Sequence, residues 1–270
     1  KSALVLGISK YLIEFGKTIR FGKPLATSFE IDTKITLGSQ PLIDDDVRFV
    51  GATLGLTQEQ LIPSAHLLST DTAEKRLLDS QLLPGEDFLF IQEIINADFE
   101  CLNILEGAGS LHEGLLYGLS LVQVAKALKA KVLIVHLWRD STSIDALLAA
   151  RDQLGENLAG VVLNAVTPDD LQLLKDKVVP ALTSLGFEIY GVMPRSPLLR
   201  SVTVEELVRR LQARVICCEE RLELMVESLT IGAMNVNSAM EVFRKRRNMA
   251  VVTGADRTDI QLAALEASTQ

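Results

Sequence analysis

The sequence predicts an α/β protein, a parallel sheet with helices on both faces followed by a second, smaller α/β domain. Three observations carry this. Strand-like and helix-like stretches alternate from Lys1 to Pro194, the order that parallel βαβ units require. KVLIVHLW is apolar throughout rather than alternating, as strands covered on both faces are. After RSPLLRSVTVEEL the alternation resumes on a smaller scale, which places domains at 1–198 and 199–270.

The elements follow in order. Residues 3–16 carry apolar positions at helical spacing and end at Gly16, a plausible C-cap. KTIRFGKPL reads as a short strand stopped by Lys23-Pro24, and residues 25–43 as a polar loop. DDDVRFVGATLGL reads as a helix whose acidic first turn suits the helix dipole. FECLNILEGAG is a strand ended by a Gly-rich turn, SLVQVAKALKA an amphipathic helix and KVLIVHLW a strand. SIDALLAARDQL, LAGVVLNAV, DDLQLLKDKVVPALTSL and IYGVMP continue as helix, strand, helix, strand. In the second domain the reading is helix 203–211, strand ARVICC, helices near 219–228 and 237–244, strand NMAVVTG and helix 257–267. A parallel unit needs a return strand after that last helix, so the domain is expected to continue beyond Gln270.

A formal net charge of −8 over 270 residues argues against broad binding to nucleic acid or an acidic membrane surface. No apolar run approaches the roughly 18 residues of a membrane span. Three cysteines, two of them adjacent at Cys217-Cys218, make neither a disulfide framework nor a CxxC metal knuckle. A reducing, cytoplasmic setting is therefore the expectation.

Parallel sheets bind ligands at the carboxyl ends of their strands, and the candidate residues fall there. Lys1-Ser2 has the types of the last two positions of a P-loop. There a Lys bridges the terminal phosphates and the next hydroxyl ligates Mg²⁺, with the glycines expected upstream of Lys1. From two residues alone, an arbitrary start at an exposed helix is the favoured reading. Glu106, closing the strand LNIL before Gly-Ala-Gly, has the position of an acid that meets a metal beside phosphates, or of a solvated strand end. Asp44, Asp45 and Asp46 offer a further anionic group, or simply an acidic first helical turn. Lys23, its exit fixed by Pro24 and with Thr27 and Ser28 close behind, suits a carboxylate or a transferring phosphoryl group, or is a surface lysine. Asn164 in VLNAVTP offers a donor and an acceptor to an adenine edge, or caps a turn.

Taken together, KS opening a helix, KPLATS, an acidic stretch, ILEGAGSL and LNAVTP resemble dethiobiotin synthetase and the wider cobyrinic acid a,c-diamide synthase-like P-loop proteins over roughly residues 1–195. VVTGADRTDIQLAALEAST, with SVTVEEL and LTIGAMNVNSAMEVF before it, resembles the DRTGG domain that follows such a P-loop domain in phosphotransacetylase-family proteins. That arrangement is associated with bacteria, especially cyanobacteria, and with plastids, which would make the plastid stroma the location in a plant.

The resemblance implies ATP and Mg²⁺ as cofactors and a homodimer as the assembly. It implies Lys1 on the phosphates, Ser2 and Glu106 on Mg²⁺, one of the three aspartates completing the metal site with Asp46 favoured, Lys23 on the transferred phosphoryl group, and Asn164 on adenine. Departures stand beside it. Phe29 occupies the position of a family glycine, HLWRD replaces a Gly-containing loop, and Asp256-Arg257-Thr258-Asp259 lacks the two glycines of the DRTGG signature. Asp256 and Arg257 read either as ligand contacts or as a helix cap paired with itself.

Three functions are in view. The first is a nucleotide-responsive regulator or assembly protein whose second domain senses a small ligand. The second is an ATP-dependent enzyme that phosphorylates a carboxylate. The third is an accessory domain of acyl-phosphate metabolism. The altered loop after Lys23 favours the regulator.

Overall fold

The computed structural model describes residues 1–28, 41–79, 89, 91–93, 95 and 101–268. It forms two compact units, Lys1–Pro194 and Arg195–Gln270.

The first unit runs α1 (Ser2–Glu14), β1 (Ile19–Gly22), β2 (Leu25–Ala26), α2 (Asp45–Leu54), β3 (Leu61–Ile62), β4 (His66–Leu67), α3 (Thr70–Leu78) and β5 (Leu102–Leu105). It continues through α4 (Leu121–Leu128), β6 (Val132–Leu137), α5 (Ile144–Leu154), β7 (Leu158–Val166), α6 (Leu171–Leu173), α7 (Val179–Ser184) and β8 (Ile189–Pro194). The ladders are β3-β1-β5, β6-β7-β8 and β2-β4, all parallel. That is the arrangement the alternation predicts. Leu25–Ala26, read as the start of a polar loop, instead forms β2, buried and paired with β4, and residues 61–78 add β3, β4 and α3.

The core explains the order. Phe21 on β1 packs with Val47 and Val50 of α2, and Val5 and Leu6 of α1 close over them. On β7, Val161, Leu163 and Val166 pack with Leu147 of α5, Leu174 and Leu182. Helix α4 touches two clusters, Val124 joining Leu25 and Tyr117 and Ala125 joining Val132 and Leu154.

The helix expected over DDLQLLKDKVVPALTSL is interrupted by a π-helical turn, Leu174–Val178. Pro180 lies in the first turn of α7. It has no N–H to give and its ring would strike the carbonyl four residues back. The wider turn ahead of it relieves both problems.

One expectation is corrected. KVLIVHLW was read as buried on both faces, but on β6 only Val132 is buried and Leu137 is exposed. The reason is pairing. Strand β6 is bonded along one edge to β7, and among the described residues no ladder joins it to β5.

Gly22 ends β1 against β3. A Cβ there would lie 2.4 Å from Ile62 Cβ and 2.7 Å from Ile62 O, a contact with backbone that no rotamer relieves. Gly22→Ala is expected to destabilise the first unit by about 2 kcal/mol or more. Urea unfolding at neutral pH checks this, and a change under about 0.5 kcal/mol would contradict the close approach of β1 and β3.

His136 of β6 is half-buried, with Nε2 3.1 Å from Ser143 Oγ. Desolvation lowers its pKa from 6.5. The folded state then binds this proton less readily than the unfolded chain. Stability falls as pH drops below 6.5 toward the lower folded value. His136→Gln should remove that part of the slope in unfolding midpoints measured between about pH 7.5 and 5.5, and an unchanged slope would contradict it.

The second unit contains β9 (Val202–Thr203), α8 (Val204–Leu211), β10 (Met225–Val226), β11 (Ser228–Ile231), α9 (Val236–Lys245), β12 (Met249–Val252) and α10 (Thr258–Ser268). Strands β9 and β10 are antiparallel, β11 and β12 parallel. Two readings are corrected here. ARVICC forms no strand. It runs without regular structure to Cys218, whose φ of 59° sets it ahead of a short 3₁₀ turn, Glu219–Arg221. The helix near 219–228 is absent, and β10 and β11 follow that turn instead. Apolar residues alone do not tell a short strand from a helix segment, and pairing of Leu229 and Thr230 with Ala250 and Val251 decides it.

Candidate functional site

Lys23 follows β1 directly and is only 4% exposed, so it is not a surface lysine. Its Nζ donates to Thr27 Oγ1, lies 3.1 Å from Asp44 Oδ2 and donates to Asp46 Oδ2 at 3.0 Å. Burial alone would lower its pKa, but the hydrogen bonds and charges of Asp46 and Asp44 outweigh it, and the net shift is upward. Ser64 Oγ donates to Lys23 O at 2.6 Å, holding the turn from β1 in place. Nothing in the sequence around Ser64 announced this.

The three aspartates separate by role. Asp44 caps α2, its Oδ1 accepting from Asp46 N at 2.9 Å. Its Oδ2 accepts from Thr27 N at 2.7 Å and from Ser28 N at 3.1 Å. It is fully buried. Burial alone would raise its pKa, but these N–H groups and Lys23 bring it below the usual aspartate value of 3.8. Its lone pairs are spoken for, and it anchors the KPLATS turn to the helix. Asp46, one residue into the same helix turn, has a side chain 48% exposed. It bridges Lys23 to the open side of the site.

Glu106 follows β5. Its N–H donates to Gly22 O at 2.9 Å, which continues the β1–β5 ladder and sets the carboxylate beside Lys23. It is 6% exposed. Ser2 Oγ lies 3.5 Å from its Oε1, while its Oε2 is buried with no hydrogen-bond partner. Desolvation raises its pKa above 4.5. Lys1 and Lys23 oppose that rise and Asp46 adds to it. Lys1 caps the start of α1, and its Nζ donates to Gly107 O at 3.1 Å and to Ala108 O. The Gly-rich turn is held from its far side, where Gly109 N donates to the Glu113 carboxylate. A narrow cleft beside Glu106 is lined by Leu25, Leu105, Gly107, Leu121 and Val124.

Lys1, Ser2, Lys23, Asp46 and Glu106 therefore converge at the ends of β1 and β5, where α1 begins. Asn164 does not join them. It lies on β7, its backbone O accepting from Trp138 N at 3.0 Å. Among the described residues its side chain makes no hydrogen bond to this group. Phe29 lies outside the described residues. Arg257 pairs with Asp259, its Nη2 2.9 Å from Oδ2, and donates to Met234 O at 2.8 Å. The internal pairing thus falls on Asp259 rather than Asp256.

Among the described residues no three His, Cys, Asp or Glu side chains cluster to hold a metal. What is present is one hydroxyl and two carboxylates, the partial oxygen set of an ion that completes its shell with water and phosphate, as Mg²⁺ does. The orphaned Oε2 of Glu106 fits such an ion, since a buried acceptor without a partner is costly. Among the described residues no helix is long and apolar enough to cross a membrane.

An AAA-domain profile matches residues 1–218 and a DRTGG-domain profile residues 206–270. The phosphate acetyltransferase of Deinococcus radiodurans is 27% identical over 281 residues, covering 97% of this chain and 37% of that protein. The phosphate acetyltransferase of Synechocystis is 25% identical over 171 residues, covering 61% of this chain and 24% of the relative. The chain thus spans 37% or less of the length of these relatives. It belongs to the AAA-domain family of P-loop proteins in its dethiobiotin synthetase-like form, with a DRTGG domain following.

Proposed function

We propose that the first domain binds ATP with Mg²⁺ and that the protein is a nucleotide-responsive regulatory or accessory component, its DRTGG domain sensing a small ligand. The division into domains 1–198 and 199–270, a homodimeric assembly and a cytoplasmic or stromal setting belong to the same proposal. The observation that carries it is Glu106, a buried carboxylate with one unpartnered oxygen beside the hydroxyl of Ser2 and the ammonium of Lys1, which bonds the next two carbonyls.

In this reading Lys1 leaves the Gly107 and Ala108 carbonyls to meet phosphate oxygens. Ser2, Asp46 and Glu106 hold the ion. Lys23 presents positive charge to the terminal phosphoryl group, and Asn164 offers its amide to adenine. Magnesium supplies charge neutralisation on the phosphates when bound. Lys23 is already saturated by Thr27, Asp44 and Asp46. An incoming anion must displace one of them, and Asp46 is the exposed one.

A second reading rests on the relatives. Two of them are phosphate acetyltransferases matched over only part of their length, which suits an accessory domain of acyl-phosphate metabolism. Phosphorylation of a carboxylate is the third. Calorimetry with ATP, with and without Mg²⁺, tests binding. Lys1→Ala should abolish it, and unchanged affinity would contradict the site. Phosphate release with candidate carboxylic acids separates the enzyme, which turns over, from the regulator, which does not.

A further inference from the structure

We propose that Cys217-Cys218 is a vicinal-dithiol site that low-molecular-weight disulfides oxidise reversibly to an internal disulfide. The inference is independent of the nucleotide site. Both thiols are exposed, while the third cysteine, Cys101, is half-buried. Ile216, just before the pair, is 85% exposed, so among the described residues this segment stands open to solvent.

The neighbouring Cys217 and the charge of nearby Glu220 raise the pKa of Cys218. Attack begins at Cys217, and attack from Cys218 gives the same products. The Cys217 thiolate displaces one thiolate from the small disulfide and forms a mixed disulfide. Cys218, losing its proton to solvent, attacks the Cys217 sulfur and expels the second thiol. In sum, two cysteine thiols and one disulfide become one internal disulfide and two small thiols, and the electron pair leaves with the small thiols.

Adjacent Cα atoms are about 3.8 Å apart, below the roughly 4.4–6.8 Å of relaxed disulfides. The ring is therefore strained and easily reopened, the property of regulatory rather than structural disulfides. Closure has a local consequence. Cys218 sits at φ 59°, and its carbonyl accepts from Arg221 N at 3.0 Å. The segment immediately after caps α8, with Leu222 O and Leu224 O accepting from Glu205 N and Val204 N.

The test equilibrates the 270-residue chain with mixtures of oxidised and reduced glutathione, then quenches and alkylates before mass spectrometry. The expected result is joint loss of the Cys217 and Cys218 labels, a peptide lighter by two hydrogens, restoration by reduced glutathione, and faster amide exchange at Val204 and Glu205. Cys218→Ser should instead trap one glutathione on Cys217. Stable glutathione adducts on the unsubstituted pair, disulfide-linked chains, or both thiols still labelled at every ratio would overturn the proposal.

Discussion

Lys23→Met is expected to lower the stability of the protein by about 3 kcal/mol. The reason lies in what is left behind. Asp44 is fully buried and would lose its cation while remaining pinned by the N–H groups of Thr27, Ser28 and Asp46. Removing one partner of a buried pair costs about 3–5 kcal/mol, and the three surviving N–H bonds place this case at the low end. The loss should hold across neutral pH. Asp44 is ionised above its depressed pKa and Lys23 is charged below its raised one. The ion pair's contribution fades as pH falls through the Asp44 value below 3.8, or rises through the Lys23 value above 10.5. Urea unfolding at neutral pH checks the size. A cost under about 1 kcal/mol would mean that Lys23 is not the counter-charge of Asp44.

Glu106→Gln should have the opposite effect on the fold. The carboxylate is buried, its pKa is raised by desolvation and one oxygen has no partner. A neutral amide of nearly the same shape relieves that charge, and a gain of about 1 kcal/mol is expected. Nucleotide affinity should fall by at least about tenfold in the presence of Mg²⁺ and little in its absence, because the substitution removes an ion ligand and no nucleotide contact. A variant that loses thermal stability and keeps its Mg²⁺ dependence would make Glu106 a structural residue. This separation of folding from binding marks a residue placed for a ligand.

The parallel strands were legible because strands in a covered sheet are written as apolar runs, and LAGVVLNAV and IYGVMP are such runs. Lys23 and Glu106 were legible as residues closing strands. The separate duties of Asp44 and Asp46 were not. Three adjacent carboxylates look alike until a helix buries one at the cap and leaves another, two residues on, half exposed. Ser64 was invisible for a similar reason. Its role is a single bond to Lys23 O across 41 positions, and no local pattern encodes such a contact. In the second unit, the strand Ser228–Ile231 was hidden because its four residues take their conformation from a distant partner. Cys217 and Cys218 stood inside a supposed strand, and only the loop geometry shows both thiols open to solvent.

In the proposed site Ser2 and Glu106 share a cation beside the phosphates of a nucleotide held by Lys1. The most direct measurement is a crystal structure with ATP and Mn²⁺ in place of Mg²⁺, read in the manganese anomalous map. A single peak about 2–2.5 Å from Ser2 Oγ and a Glu106 oxygen is expected, with Lys1 Nζ moved from the Gly107 and Ala108 carbonyls to a phosphate. Nucleotide bound with the Glu106 carboxylate still unpartnered, or manganese bound away from both residues, would contradict it.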